Sequence, residues 1–318
     1  MESHNKENNA GKKASLKESI YNFYDKKYKI LLIIPFLVLF LSFAQIAYQY
    51  QTTGDFIKKD VSLKGGVTIT IPYTKDVNLD SVEEQISSNF PQNDLEIRSL
   101  SSAGKSVGII IDADINGNDK ASVQKLLDSI ESSLSIDLEN TDYGLEIIGS
   151  SLGNSFFRES LIALAIAFFF MGVVVLIYFR SFIPSLAVIL ACFSDMVVTL
   201  AIINLLGVKI GTAGIAAFLM LIGYSVDTDI LLTIRVLKRK EGTIMERIIS
   251  SVKTGTMMTL TAVCAVSVSL IFSQSDVIKQ IMLIVLVGLV ADLIFTWIQN
   301  VGLLRIYAER KLKKGITI

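Results

Sequence analysis

Histidine, tryptophan, cysteine and proline are scarce in this 318-residue sequence, with one, one, two and four residues, respectively. With so few prolines and a single histidine, little interrupts a helix or titrates near neutral pH. Cys192 and Cys264 both lie in apolar runs, and their spacing fits neither a metal site nor a disulfide framework. We therefore expect inert thiols that pack as small hydrophobic side chains, no metal and no cofactor.

Charge is also missing from most of the chain, which is 51% hydrophobic and has a mean hydropathy of +0.54. Six apolar segments reach the roughly 17–25 residues that cross a bilayer as a helix. These predicted spans are 29–50, 158–179, 184–206, 212–235, 253–273 and 278–301. Only the link between the first two is long, so the sequence predicts a six-helix membrane protein with one soluble domain at 51–157.

The net charge of zero conceals an orientation signal that emerges when the charges are read loop by loop. Four groups of basic residues flank the spans on one side: Lys26, Lys27 and Lys29; Arg180; Lys238, Arg239, Lys240 and Arg247; and Arg305, Arg310, Lys311, Lys313 and Lys314. By the positive-inside rule, the tails 1–28 and 302–318 are cytoplasmic and the soluble domain is extracytoplasmic. Signal-peptide cleavage after Ser42-Phe43-Ala44 is the alternative, but that apolar run and the polar lead before it are long, so we expect the first span to be retained.

The soluble segment predicts alternating strands and helices. A β-branched run, Val67–Ile71, follows Gly65-Gly66; helices are expected at 79–90 and 118–134, and further strands at 94–100, 105–112 and 143–148. The order βαββαβ is that of a ferredoxin-like domain, two helices on one face of a four-stranded sheet. The segment has no histidine, cysteine or Gly-rich phosphate loop, which leaves a contact module or a passive spacer as its role.

Ionisable residues inside the predicted spans point to function, because a charge at a helix centre costs about 2.5–3.5 kcal/mol on insertion scales. Asp195 lies near the middle of the third span, Asp227 and Asp229 lie on the cytoplasmic side of the fourth, and Asp292 lies near the middle of the sixth. Such carboxyl groups are candidate proton carriers. At about 100° per residue, Asp227 and Asp229 point roughly 160° apart, so one is expected to face the bundle and the other a partner protein. We rank Asp227 first, Asp195 and Asp229 next, and Asp292 fourth.

Other polar residues in the spans suggest packing. We expect Arg235, near the cytoplasmic end of the fourth span, to extend to the membrane interface. Hydroxyls in the fifth span are expected to bond carbonyls one turn back, and Gln299 and Asn300 to bond across helices.

The arrangement of the spans and several motifs together resemble the SecD/SecF family of protein-export proteins, within the resistance-nodulation-division (RND) superfamily. Gly65-Gly66 resembles the start of that family's external domain, and Ser194-Asp195 its third-span His-Asp pair. The stretch Tyr224-Ser225-Val226-Asp227-Thr228-Asp229 through Arg235 is similar to the fourth-span signature. The resemblance implies half of an RND-type transporter that works with a SecD-like subunit and a SecYEG-type channel on exported unfolded polypeptides, drawing on the proton motive force. The resemblance also implies contact with membrane lipids and no binding of nucleic acid.

The carboxylates depart from the bacterial pattern of this family. Bacterial members place their fourth-span aspartate opposite Thr228, and their fifth-span arginine falls opposite Gly255, with Lys253 as the nearest cation. The versions here, with Asp227, Asp229 and Asp292, resemble the archaeal branch, so proton coupling does not transfer directly. An intramembrane aspartyl protease is disfavoured because its Gly-x-Gly-Asp motif is absent, and no enzymatic activity is expected. A scaffold without proton transfer and an RND half-transporter for another substrate remain alternatives.

Overall fold

The computed structural model describes residues 27–74, 77–102, 105–138, 143–239, 241–273 and 275–314. Most of the predicted N-terminal tail 1–28, with Lys26, lies outside these residues, as do Lys240 and the last four residues of the 302–318 tail. Six helices within the described residues are long and apolar enough to cross a membrane. A small antiparallel sheet accompanies them, so the predicted fold class is confirmed.

The membrane bundle contains helices α1 (Ile33–Thr53), α5 (Ser150–Phe179), α6 (Phe182–Leu205), α7 (Thr212–Leu237), α8 (Ile244–Phe272), α9 (Asp276–Ile294) and α10 (Val301–Lys313). The last two are joined by a π-helical segment, Phe295–Asn300, so that the sixth span runs unbroken over Val277–Lys313. Between α1 and α5 lies the α/β domain, with a short helix α2 (Val61–Lys64) leading into it.

Several helices extend beyond the apolar runs that predict the spans. Helix α5 begins eight residues early, at Ser150, and helix α8 begins nine residues early, at Ile244. The start of α8 is a capping box, in which the Thr243 hydroxyl accepts from the Glu246 N–H and the Glu246 carboxylate accepts from the Thr243 N–H. A Thr-x-x-Glu pattern of this kind starts a helix irrespective of hydropathy, which explains the early start of α8.

The α/β domain consists of β1 (Gly66–Pro72), α3 (Leu79–Ser88), β2 (Leu95–Ser102), β3 (Lys105–Ala113), α4 (Lys120–Leu134) and β4 (Gly144–Ile148). The sheet order is β2-β3-β1-β4 and each pair is antiparallel, which confirms the predicted βαββαβ arrangement. The predicted helix stripes lie in its core, where Val82, Ile86, Leu126 and Ile130 are buried. The Ala103-Gly104 turn lies outside the described residues.

Two sets of contacts hold the domain against one end of the bundle. The loop between α6 and α7 pairs with the segment before α2, because Ile210 N–H donates to Lys58 O at 2.7 Å and Asp60 N–H donates to Ile210 O at 3.0 Å. The Lys209 ammonium in the same loop lies 3.0 Å from Asp94 and 3.1 Å from Glu96, the latter in β2. The N-terminus of α7 is therefore anchored to the domain.

The Gly65-Gly66 motif serves this junction. Gly65 has φ +86°, and a Cβ there would lie 2.4 Å from Ser150 Cα at the start of α5. Gly153, one turn later in α5, packs equally closely, since its Cβ would lie 2.7 Å from Gly65 N. Backbone contact at this distance leaves no room for a side chain, so these glycines bring the domain and the second span together.

Candidate functional site

Three carboxyl groups from three different spans meet in the interior of the bundle. Asp195 is in α6, Asp229 is in α7 and Asp292 is in α9, and their exposed fractions are 0%, 0% and 1%. Helices α6, α7 and α9 pack on one another, while the π-helical segment brings Thr296 and Asn300 to the same place. A π-helical turn shifts the rotation of the residues that follow it, and such turns are frequent at functional sites.

Neutral side chains supply the hydrogen bonds that these carboxyl groups accept. Ser225 Oγ donates to Asp195 Oδ2 at 2.6 Å. Asn300 Nδ2 donates to Asp229 Oδ1 at 2.7 Å, and the Thr296 hydroxyl lies 2.9 Å from the same oxygen. The Thr296 hydroxyl is also 2.8 Å from Asp292 Oδ1, so it bridges the fourth and sixth spans.

The bridging hydroxyl favours a cluster that holds a proton. A threonine hydroxyl has a single hydrogen, yet Thr296 Oγ1 lies at hydrogen-bond distance from two carboxyl oxygens. For both contacts to be hydrogen bonds, one carboxyl group must donate to the hydroxyl.

No cation balances these carboxyl groups within the described part of the chain. None of the three forms an ion pair with lysine, arginine or histidine there. Asp195 Oδ1 and Asp229 Oδ2 are buried and have no hydrogen-bond partner among the described residues. An ionised carboxylate buried without a cation is very costly, so this conformation suits the neutral form of the cluster.

Metal binding finds little support in the same residues. Among the side chains that the structure describes, no three of histidine, cysteine, aspartate or glutamate are arranged to hold a metal ion.

Asp227, ranked first from the sequence, lies outside this cluster. Its side chain is exposed on the outer face of α7, as is that of Tyr224, which is 43% exposed. The predicted opposition of Asp227 and Asp229 is therefore seen, with Asp229 facing inward. Periodicity shows that two such residues point apart, but only the packing of α7 against α6 and α9 reveals which one is buried.

Arg235 also differs from its prediction. Instead of extending to the membrane interface, its guanidinium crosses to α8, where Nη1 lies 2.7 Å from Ser250 O and 2.8 Å from Thr254 Oγ1. The reason is that α8 begins nine residues before the predicted span and so offers acceptors at this depth. Arg235 thus joins the fourth and fifth spans and makes no contact with the carboxyl cluster.

The polar residues of the sixth span make more of the hydrogen bonds around the carboxyl cluster than the sequence predicts. Gln299 does bond across helices, with Nε2 3.3 Å from Ser194 Oγ, and Asn300 does so with Asp229. Thr296 was missed altogether. A signal was present, because Asp292, Thr296 and Asn300 follow one another at intervals of four residues and form one polar stripe on an apolar helix.

Comparison with known proteins places this geometry in a family. The family model described as "Protein export membrane protein SecD/SecF, C-terminal" matches residues 129–310. The chain belongs to the SecD/SecF family of protein-export membrane proteins. The resemblance carried by the sequence motifs is thereby confirmed.

Curated relatives match over nearly their whole length. The chain is 34% identical to the protein-export membrane protein SecF of Pyrococcus furiosus, over 93% of this chain and 96% of the relative. It is 35% identical to SecF of Methanocaldococcus jannaschii, over 91% and 99%. A general role in protein export at the membrane follows from membership of the family, and this is not an enzymatic activity.

A solved structure supports the fold. The crystal structure of SecDF, a translocon-associated membrane protein from Thermus, matches with a TM-score of 0.67 and 16% identity. The match covers 90% of this chain but only 38% of the SecDF chain. The similarity therefore concerns the arrangement of the six helices and the α/β domain.

Proposed function

We propose that this chain is one half of a two-part export complex, in which a SecD-like subunit supplies the other half. The complex would act beside a SecYEG-type channel on unfolded polypeptides that are being exported. It would use the proton motive force, with both termini of this chain in the cytoplasm and residues 51–157 outside the membrane.

The observation that carries the proposal is the buried cluster of three carboxyl groups, Asp195, Asp229 and Asp292. Three carboxyl groups that have neutral donors, and no cation among the described residues, suit a site that is protonated when closed. If water reached the cluster from one side, a proton could leave, and the charge left behind would favour a more hydrated packing of α6, α7 and α9. Alternating access of water would then couple proton flow to helix movement.

The membrane potential can bias such a cycle. A membrane potential supplies about 2.3 kcal/mol for each elementary charge per 100 mV. Movement of α7 would be transmitted outward, since Ile210, two residues before α7, is hydrogen-bonded to the segment that leads into the α/β domain. The domain could thus pull or release a polypeptide as the cluster gains and loses its proton.

The test is export in vesicles that carry Asp229→Asn, compared with Asp227→Asn, with and without a proton gradient. Asparagine fills the same space and accepts hydrogen bonds but carries no titrating proton. We expect Asp229→Asn to abolish the stimulation of export by the gradient, while Asp227→Asn retains it. Membrane level and co-purification of the partner subunit are measured alongside, so that a failure of assembly is recognised.

A second candidate function, a scaffold without proton transfer, is favoured by the exposed position of Asp227. A carboxylate on the lipid-facing side of a helix is costly unless a neighbouring protein meets it. A scaffold would use its aspartates to fix assembly by hydrogen bonds, so neither asparagine variant would change the response to the gradient. That result would exclude Asp229 as a proton carrier.

A further inference from the structure

Helices α1 and α5 each pack on α6, and the exposure of Phe193 between them marks a groove on the outside of the bundle. Its floor is α6, where Phe193 contacts Phe43 of α1 on one side and Phe168 of α5 on the other, with ring centroids 6.2 Å apart in both pairs. Phe193 is 37% exposed between these two helices. The groove is therefore open to the surrounding lipid.

Near the α/β domain the groove leads into an apolar cavity of about 130 Å³. No polar atom contributes to its surface. The lining comes from α5, α6, α7 and the segment after α1, and includes Phe56, Phe157, Leu164, Met196, Leu200 and Phe218. An engineered apolar cavity of similar size, about 150 Å³, stays dry and binds benzene, so this one is suited to part of a hydrocarbon chain.

The segment 56–59, which closes the cavity, turns from apolar to cationic between Ile57 and Lys58. Phe56 and Ile57 line the apolar cavity, whereas Lys58 and Lys59 line a polar crevice of about 280 Å³ on the other side of Ile57. Lys59 Nζ lies 4.6 Å from the centroid of the Phe157 ring, at the boundary between the two. A hydrocarbon site and a cationic site thus adjoin where the helices meet the domain, which is the level of lipid headgroups.

Lys58 is the cation that is available for a ligand in this crevice. Lys59 is paired with Asp55 at 2.7 Å, and Lys64 and Lys209 are paired with Asp114 and Asp94. Lys58 forms no ion pair within the described ranges, although its side chain is half-buried beside Gly207. A half-buried ammonium without a carboxylate favours an anionic group.

We propose that this is a binding site for an anionic phospholipid from the leaflet next to the α/β domain. One acyl chain passes through the apolar cavity and continues along the groove, and the phosphate binds Lys58. The membrane supplies such molecules at high local concentration, and an amphiphile matches both halves of the site. Because the site is separate from the carboxyl cluster, it stands independently of proton coupling.

The test is a lipid titration of the purified full chain, followed by native mass spectrometry. The probes are phosphatidylglycerol and phosphatidylcholine with identical oleoyl chains, so only the headgroup charge differs. For the unmodified chain we expect one tightly held lipid and a preference for phosphatidylglycerol of about fivefold, the contribution of one lysine near an anionic lipid. Lys58→Gln should bring that preference close to one.

A matched pair of variants tests the hydrocarbon part of the site. Leu164→Trp fills the cavity, whereas Ile162→Trp places the same ring two residues away at a position that is 48% exposed. We expect Leu164→Trp to weaken retention of both lipids and Ile162→Trp to leave it unchanged. Equal retention by these two variants, or an undiminished preference in Lys58→Gln, would overturn the proposal. The Lys58→Gln result decides it even if Leu164→Trp fails to fold.

Discussion

At the scale of single residues, the direction of a side chain decides its role in this membrane protein. Asp227 and Asp229 have the same chemistry, lie two residues apart and face opposite surroundings. The inward residue is linked to the sixth span by Thr296 and Asn300, while the outward residue faces whatever lies beside α7. Two buried threonines differ in the same way, because the Thr296 hydroxyl has hydrogen-bond partners and the Thr199 hydroxyl has none among the described residues.

Thr296→Val should destabilise the chain by about 1–3 kcal/mol, because it removes the hydroxyl between Asp229 and Asp292 and leaves the buried Asp292 Oδ1 without that hydrogen-bond partner. Thr199→Val is the matched control. Thr199 is equally buried at 0% exposure, but its hydroxyl has no hydrogen-bond partner among the described residues. We expect that variant to be neutral or more stable, as measured by thermal unfolding in detergent. Equal losses in both would show that the bridge contributes nothing.

At the scale of elements, the junction between the α/β domain and α7 combines tight glycine packing with charged side chains. Asp60 caps α2 by accepting from the Val61 N–H at 2.5 Å. In the adjoining sheet, Arg98 of β2 is paired with Asp112 of β3. Burial, together with repulsion from Asp112, raises the pKa of Asp60 above its ordinary value of 3.8. A raised pKa means that the folded junction is more stable when the Asp60 carboxyl group is protonated.

The junction should therefore loosen as the pH rises. The stabilisation from a proton on Asp60 is fully present below its unfolded pKa and is lost as the pH rises through the raised folded pKa. Asp60→Asn is neutral at every pH and keeps the capping oxygen, so its junction should stay tight. Hydrogen exchange of the amides at Gly65 and Ile210, followed from acid to neutral pH, measures this. If the exchange rates of these amides changed with pH in the same way in Asp60→Asn and in the unmodified chain, Asp60 would be excluded as the source of the loosening.

At the scale of the whole molecule, the bundle has more apolar surface than one subunit can cover. Helices α1, α5 and α8 expose many large hydrophobic side chains, and the span windows of α5 and α8 are only 11% and 17% buried. Lipid or a neighbouring protein must cover them. The orientation of the molecule decides which leaflet and which compartment each end meets.

The orientation can be tested by labelling single cysteines with a membrane-impermeant maleimide. In a Cys264→Ala background, in which Cys192 is buried, Ser132→Cys reports on the α/β domain and Arg239→Cys on the loop after α7. With both termini in the cytoplasm, Ser132→Cys should be labelled in intact cells and Arg239→Cys only after lysis. The reverse pattern would contradict the positive-inside assignment.

The sequence by itself determined the number of spans, the βαββαβ order and the presence of carboxyl groups inside the membrane. These features depend on local hydropathy and on the periodicity of neighbouring residues, which every short window of the chain carries. The cap at Asn78 belongs to the same class, because a cap acts within one turn. The cap at Thr243 is equally local, but a prediction from the apolar run alone places the start of α8 nine residues too late. Helix ends that run past the apolar core, such as those of α5 and α10, escape a prediction based on hydropathy alone.

Only the tertiary structure decided which carboxyl groups meet. The burial of Asp229 instead of Asp227, the bridge formed by Thr296 and the path of Arg235 to α8 all depend on how each helix is rotated against its neighbours. The π-helical segment alters that rotation in the sixth span without a local sequence signal that we recognised. Contacts between residues tens of positions apart are set by packing, which periodicity along one helix does not contain.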